Sequence, residues 1–335
     1  MKNLLYIGNK LSKHGVTPTT IEILGPLLEL EAFRVSYSSS HGNKLLRVID
    51  MLWSVFQSRK ADCVLIDVYS TTNFWYAFAV SQLCRCLNLK YIPILHGGNL
   101  ASRLKNNPKI CRMIFKHSFQ NVAPSFFLMQ KFKDAGYENV MYIPNSIELE
   151  NYPFLERKKA KPNLLWVRSF AKIYNPMMAV EVFASIKKKY PEATLCMVGP
   201  EKDGSLSEVR QRAKELKLDI LFTGKLSKND WINKSKEYDI FINTTHFDNM
   251  PVSVIEAMTL GLAIVSTNVG GIPFLLENQK DALLVPDGDV NRMIDAIDRL
   301  IGDSDLFSSI TTNARRKAEQ FDWQLVKVQW LTLLK

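Results

Sequence analysis

The sequence predicts an α/β protein with two Rossmann-like domains, each built on a parallel sheet covered by helices. Three observations lead there. The chain has 335 residues, enough for two cores. Short apolar runs alternate along it with segments of helical period. The strand-like runs are continuously apolar, as strands buried on both faces of a parallel sheet are.

Composition narrows the class. A hydrophobic fraction of 47% is ordinary for a globular chain. No run approaches the roughly 18 apolar residues of a membrane-spanning helix. The start, Met1 to Gly8, reads as a first strand rather than a signal peptide, being short and lacking a small-residue cleavage site. The five cysteines, Cys63, Cys84, Cys86, Cys111 and Cys196, are odd in number and show no metal-type pairing. Reduced thiols in a cytoplasmic protein are the expectation. The net charge is +10, and it is uneven: residues 1–150 hold 17 Lys/Arg against 10 Asp/Glu (+7), leaving 26 against 23 (+3) in the rest. A basic first half suits an anionic partner such as a membrane face, a lipid pyrophosphate or a charged polysaccharide. No helix-turn-helix or finger framework supports nucleic acid as that partner.

In the first half, strands are predicted at 3–8, 33–38, 63–68, 90–96, 121–123 and 140–144, with helices at 17–30, 44–58, 72–87 and 126–135. The first strand leads not into a dinucleotide fingerprint but into a loop containing His14 and Gly15, where glycine permits a tight turn. The fourth strand ends in His96-Gly97-Gly98, a histidine at the end of a central strand with room beside it. Then Arg103, Lys105, Lys109, Arg112 and Lys116 interleave with Ile110, Met113, Ile114 and Phe115 at the spacing of one amphipathic helix. Such a helix suits either an anionic membrane surface or an ordinary place on the core. The charged stretch 156–162 lacks apolar period and reads as a linker, with the first domain ending near residue 150.

The second half opens with a strand at 163–167, followed by Arg168 and Lys172. A loop at a strand's carboxyl end with those two cations is suited to a diphosphate, arginine giving paired donors and lysine a movable point charge. Helices at 177–190, 206–216, 231–238, 290–301 and 306–320 and strands at 193–198, 219–222, 240–244, 263–266 and 282–286 follow, and 321–331 reads as a terminal amphipathic helix. Gly224 and Lys225 end the strand at 219–222. Asp287-Gly288-Asp289 reads as a turn rather than a metal-binding Asp-x-Asp pair.

The central motif runs from Thr245 to Met258, a polar loop between strand and helix. Such loops lie at the carboxyl ends of parallel strands, where ligands bind. Asp248 lies in the loop and Glu256 in the helix, with seven residues between them. The helix amino terminus favours phosphate, whereas the two carboxylates suit sugar or ribose hydroxyls. Together they suit a nucleotide sugar.

This segment resembles the Glu, seven residues, Glu motif of retaining glycosyltransferases of family 4, the glycosyl transferases group 1, which have the GT-B fold. The run Gly261 to Pro273 and the landmarks Ala123-Pro124-Ser125 and Pro144-Asn145-Ser146 are similar to the same family. The likeness is strong over residues 219–290 and weak before 90. It implies two parallel sheets facing a central cleft, the donor held by residues 151–320 and the acceptor by 1–150, with 321–335 returning toward the first domain. It implies that Arg168 and Lys172 bind the donor's phosphates. Gly224 and Lys225 would lie near its base, Asp248, Asn249, Met250, Pro251 and Val252 at the sugar, and Glu256 at the ribose. His96 would serve the transferred sugar, with His14, Gly15, Gly97 and Gly98 on the acceptor side. The implied reaction is hexosyl transfer with retention from a UDP- or GDP-sugar to a glycan or lipid-linked acceptor, with no cofactor or catalytic metal. The chain departs from the family in having Asp248 where Glu is usual, one methylene shorter, and in spacing Arg168 and Lys172 one residue closer. A non-catalytic GT-B-like binding subunit and a sugar-nucleotide epimerase on the same fold are the alternatives.

Overall fold

The structure, a computed structural model, describes residues 1–12, 18–97 and 99–335. His14, Gly15 and Gly98 lie outside the described residues. The chain forms two compact units, Met1–Pro144 with Leu333–Lys335, and Asn145–Thr332.

Unit 1 runs β1 (Asn3–Ile7), α1 (Thr20–Leu30), β2 (Arg34–Ser38), α2 (Lys44–Gln57), β3 (Cys63–Val68), α3 (Asn73–Cys86), β4 (Tyr91–Leu95), α4 (Leu100–Asn106), α5 (Pro108–Phe115), β5 (Asn121–Ala123), α6 (Phe126–Asp134) and β6 (Val140–Tyr142). The sheet is parallel throughout, in the order β2-β1-β3-β4-β5-β6. Every residue of β3 is buried, as both-sided helix cover requires. Asn43 caps α2, accepting from the Leu45 amide at 2.9 Å, and Ser125 caps α6 through the Leu128 amide at 3.1 Å.

The single amphipathic helix expected over 103–116 is two helices, because Pro108 opens α5 and has no amide to continue α4. Their apolar side is spent on the core: Leu100, Cys111, Ile114 and Phe115 are buried. Arg103 is also engaged, donating from Nε and Nη2 to the Ser70 carbonyl at 2.9 and 2.7 Å.

Unit 2 runs β7 (Asn163–Val167), α7 (Pro176–Lys189), β8 (Thr194–Val198), α8 (Ser205–Glu215), β9 (Leu221–Gly224), α9 (Lys228–Ser235), β10 (Ile240–Asn243), α10 (Val252–Thr259), β11 (Ala263–Thr267), α11 (Ile272–Leu275), β12 (Leu283–Val285), α12 (Val290–Gly302), α13 (Ser304–Ala318) and α14 (Trp323–Leu334). Its parallel sheet has the order β12-β11-β10-β7-β8-β9. Order reverses between β7 and β10, the switch point at which doubly wound sheets bind ligands. The stretch 156–162 is loop, fastened to unit 2 by Arg157, which pairs with Asp239 at 3.0 Å and donates to the Leu260 and Gly261 carbonyls. Among the described residues no helix is long and apolar enough to cross a membrane.

Candidate donor site

Arg168 is the first residue after β7, and Asp248 sits in the loop after β10. The strands are direct neighbours, so the two loops emerge side by side at the switch point. There the Arg168 guanidinium and the Asp248 carboxylate form an ion pair. Their side chains are only 14% and 15% exposed, so the pair is largely out of water. The guanidinium lies over the Tyr174 ring at 4.8 Å. Burial draws its pKa below the usual value, which Tyr174 and Glu256 partly restore. The guanidinium stays charged at any ordinary pH. Its Nε is buried with no hydrogen-bond partner among the described residues, a vacancy that an anion can fill.

Glycines bring these loops together. The Arg168 amide donates to Val198 at 3.0 Å, and a Cβ on Gly199 (φ +151°) would fall 1.7 Å from the Arg168 carbonyl oxygen. On the other side, a Cβ on Gly271 would lie 1.9 Å from the Asn249 oxygen, and one on Gly270 (φ +55°) 2.2 Å from that of Asp248. The Gly271 amide donates to that Asp248 oxygen at 2.8 Å. Only glycine permits such approaches. The loops after β7 and β10 are also tied to each other: the His246 amide and the Thr245 hydroxyl donate to Ile173 at 2.8 and 3.1 Å, and the Thr244 hydroxyl donates to Asn175 at 2.8 Å.

Glu256 lies in the second turn of α10, a helix buried from Val254 to Thr259. It is 4% exposed rather than solvated. Its Oε1 accepts from the Tyr152 hydroxyl at 2.7 Å and from the Lys228 ammonium. Burial and Glu256 together push the Tyr152 hydroxyl pKa well up, which keeps it a donor. Pro251, the N-cap residue of α10, offers no side-chain cap, and the Ser253 hydroxyl in its first turn is buried without a hydrogen-bond partner among the described residues. Met250 and Pro251 are buried and Val252 half-buried, and Asn145 Nδ2 donates to the Met250 carbonyl at 3.2 Å. Asn249 is buried, its amide accepted by Asp248 Oδ1 at 2.9 Å.

Lys172 is exposed and does not join the Arg168–Asp248 pair. Its amide donates to Asp203 Oδ2 at 2.8 Å, and the Asp203 carboxyl is held below its usual range by Ser205, by that amide and by the Lys172 charge. Gly224 (φ +70°) ends β9, its carbonyl accepting from the Gly199 amide at 2.9 Å, while Lys225 is exposed. Asp287 pairs with His246 at 2.8 Å and Asp289 caps α12, so the Asp-Gly-Asp turn is occupied by structural contacts.

In unit 1, His96 follows β4 and is 6% exposed. Its Nε2 lies 2.9 Å from Asp67 Oδ1, which also accepts from the Tyr6 hydroxyl at 3.0 Å. The Tyr69 ring stacks on the imidazole at 4.9 Å. Asp67 Oδ2 is buried without a hydrogen-bond partner among the described residues, and a Cβ on Gly8 would fall 2.6 Å from it. Gly97 has φ +76°, a conformation that glycine adopts freely.

Sequence reasoning missed Tyr152, Lys228, Asp67 and Tyr6. Tyr152 and Lys228 lie 104 and 28 residues from Glu256 and carry no local signal. Asp67 did carry one: it is the lone acid in the apolar strand Cys63–Val68.

Residues 161–303 match the family model of Glycosyl transferases group 1. The sulfoquinovosyl transferase of Arabidopsis thaliana is 28% identical over 149 residues, 44% of this chain and 28% of that protein. The match therefore spans less than a third of that relative's length. An uncharacterized glycosyltransferase of Haemophilus influenzae is 21% identical over 98% of both chains. Among solved structures, sucrose-phosphate synthase from Thermosynechococcus elongatus superposes with a TM-score of 0.83 at 14% identity, covering 99% of this chain and 98% of the other. Anabaena HepE in complex with UDP-glucose gives 0.79 at 16%, covering 100% and 99%. The chain therefore has the GT-B fold, and within it residues 161–303 are similar to the Glycosyl transferases group 1.

Proposed function

We propose that the protein transfers a hexose-type sugar, with retention of configuration and without a catalytic metal, from a UDP- or GDP-sugar to a glycan or lipid-linked acceptor. The observation that carries this reading is the Arg168–Asp248 pair at the β7/β10 switch point, with Arg168 Nε unpartnered. An incoming diphosphate would take over the guanidinium, with Lys172 swinging in from its exposed position. The negative charge that grows on the leaving diphosphate would then be met by the two cations, a stabilisation of the transition state. Asp248, released from the ion pair, would accept a hydroxyl of the transferred sugar together with the backbone of residues 249–252. Glu256 would hold the ribose through Oε2 while Tyr152 and Lys228 fix Oε1. His96, braced by Asp67, would serve the transferred sugar. The family match of residues 161–303 and the UDP-glucose bound by HepE support a nucleotide sugar as donor. A lipid-linked acceptor would place the reaction at the inner face of a membrane.

The test is a thermal-shift panel of nucleotides and nucleotide sugars with EDTA present, on the wild type and Arg168→Ala. A donor at a hundred times its dissociation constant stabilises by about 2.7 kcal/mol, and the variant is expected to lose that shift. Proton NMR of the transferred product, started from the α-linked donor, reads the anomeric configuration. If no nucleotide shifts the wild type, the non-catalytic binding subunit replaces this reading; donor breakdown without acceptor favours the epimerase.

A further inference from the structure

The carboxyl ends of β5 and β6 carry a pair of stacked rings that the core does not use. Phe126 opens α6, whose buried side is made by Leu128 and Phe132. Tyr142 closes β6 and is half-buried. Their rings stack with centroids 4.0 Å apart and planes 22° apart, yet Phe126 stays 46% exposed. One of its faces lies on Tyr142, so the exposure is that of its other face and rim. Phe119 and Phe56, also exposed, each lie under a cation, Lys90 at 4.0 Å and Arg59 at 4.5 Å. Among the described residues no cation lies over Phe126. The pair is also firmly mounted. Ala123 and Tyr142 are partners in the β5–β6 ladder, the Ile143 amide donates to the Ala123 carbonyl at 3.1 Å, and the Ser125 cap fixes the start of α6. Rings already held in place lose little freedom when a ligand settles on them.

The surroundings identify the class of ligand. No charged residue occurs in 118–130 or 139–147, the segments that carry the two rings, although 23% of the chain is charged. A phosphate, a carboxylate or a cation would find no counter-charge in them. A pyranose needs none: it is uncharged, and the C–H bonds on its face bring partial positive charge to the negative face of an aromatic ring. The strand register sets the distance. Ile94 pairs with Val122 and Val122 with Met141, so Tyr142 stands two strands across from Leu95, the residue before His96. At the usual strand spacing this is about 10 Å, room for one sugar ring between. We propose that Phe126 and Tyr142 form a stacking platform for a pyranose of the acceptor, one ring behind the sugar that reacts. With the transferred sugar at His96, the accepting ring comes next and the stacked ring after it. The acceptor is then an oligosaccharide of at least two sugars. The protein extends a glycan rather than starting one, and an earlier glycosyl transfer must supply its substrate. The length argument rests on the proposed role of His96; the platform itself is independent of the donor.

Saturation-transfer NMR on the full chain tests it, with a panel of glucose, galactose, N-acetylglucosamine and rhamnose and of di- and trisaccharides built from them. At least one oligosaccharide is expected to take up saturation, most strongly at the C–H protons of the ring next to its non-reducing end, while its component monosaccharides do not. Phe126→Ala is expected to weaken that binding about tenfold, the worth of one good ring contact. Phe126→Trp and Tyr142→Phe keep the aromatic surface and are expected to bind as the wild type does. Phe126 is exposed, so an unchanged melting temperature is expected for Phe126→Ala and excludes a folding defect. Three results would overturn the proposal: equal binding of monosaccharides and oligosaccharides, full binding by Phe126→Ala, or no saturation of any sugar in the panel. The nucleotide thermal shift, measured on the same proteins, separates this outcome from that of the donor chemistry. Oligosaccharide binding that depends on Phe126, in a protein that no nucleotide shifts, keeps the platform and removes the transferase reading. A nucleotide shift with no sugar that depends on Phe126 does the reverse.

Discussion

The two units solve the same topological problem with opposite electrostatics. Each is a doubly wound sheet whose strand order reverses once, between β1 and β3 in unit 1 and between β7 and β10 in unit 2. At the reversal of unit 2 stand a cation and an anion paired with each other and largely out of water, Arg168 and Asp248. At that of unit 1 stands a fully buried carboxylate, Asp67, beneath Gly8 and holding His96. A pair of opposite charges suits a ligand that brings its own charge and exchanges into the pair. A buried carboxylate that orients an imidazole suits a neutral hydroxyl, positioned rather than neutralised. On the proposed reading, unit 2 would hold the charged part of the donor and unit 1 the neutral hydroxyls of the sugars.

The contrast can be broken most directly by exchanging losses between the halves. Arg168→Ala is expected to abolish the nucleotide thermal shift and lower transfer by about 10²–10³-fold, the usual cost of removing a preorganised donor. Asp67→Asn should leave the nucleotide shift intact and lower transfer about tenfold, the value of a hydrogen bond to a charged group. Comparable loss of nucleotide binding in both would erase the distinction. Next in size are the glycines. Gly271→Ala drives a Cβ into the Asn249 carbonyl, which is backbone and cannot swing away. It should destabilise unit 2 by about 1–3 kcal/mol and weaken nucleotide binding, as read by urea denaturation and calorimetry. Glu256→Gln sharpens the picture further: UDP should bind about tenfold more weakly, whereas a dideoxyribose analogue should bind as it does to the wild type.

The smallest functional effect is on alkaline stability. Burial pushes the Cys63, Cys84 and Cys111 thiols, all in unit 1, up to about 12. In the unfolded chain they titrate near about 8.5. The folded state therefore holds its protons longer. Their contribution is complete below the unfolded pKa and falls as pH rises from there toward 12. Denaturation followed at rising pH should show unit 1 weakening first, with Cys86, the exposed thiol, as the fastest to alkylate.

The sheets were legible because a buried parallel strand is an uninterrupted apolar run, as in Cys63–Val68 and Ile240–Asn243. Arg168, Asp248 and Glu256 were legible because strand ends and helix starts flank them. What stayed hidden is what depends on distant contacts. Nothing near Tyr152 or Lys228 says that both converge on one oxygen of Glu256. The apolar periodicity of α2 shows two stripes, and the sequence does not say which side meets the sheet. The amphipathic pattern of 103–116 was visible, yet Pro108 divides it and the core takes its apolar side.

The pairing of β7 with β10 carries one more consequence, for the order in which the chain acquires function. Leu164 pairs with Ile240, and between them lie β8, β9 and three helices. As the chain emerges from the ribosome, β7, β8 and β9 can associate early, but the other edge of β7 stays open until residue 240 arrives. The loop bearing Arg168 then exists before the loop bearing Asp248. Closing so long an intervening segment is slow relative to local helix formation. Nucleotide capture should therefore arise late and in one step, when β10 docks and the central motif closes beside β7.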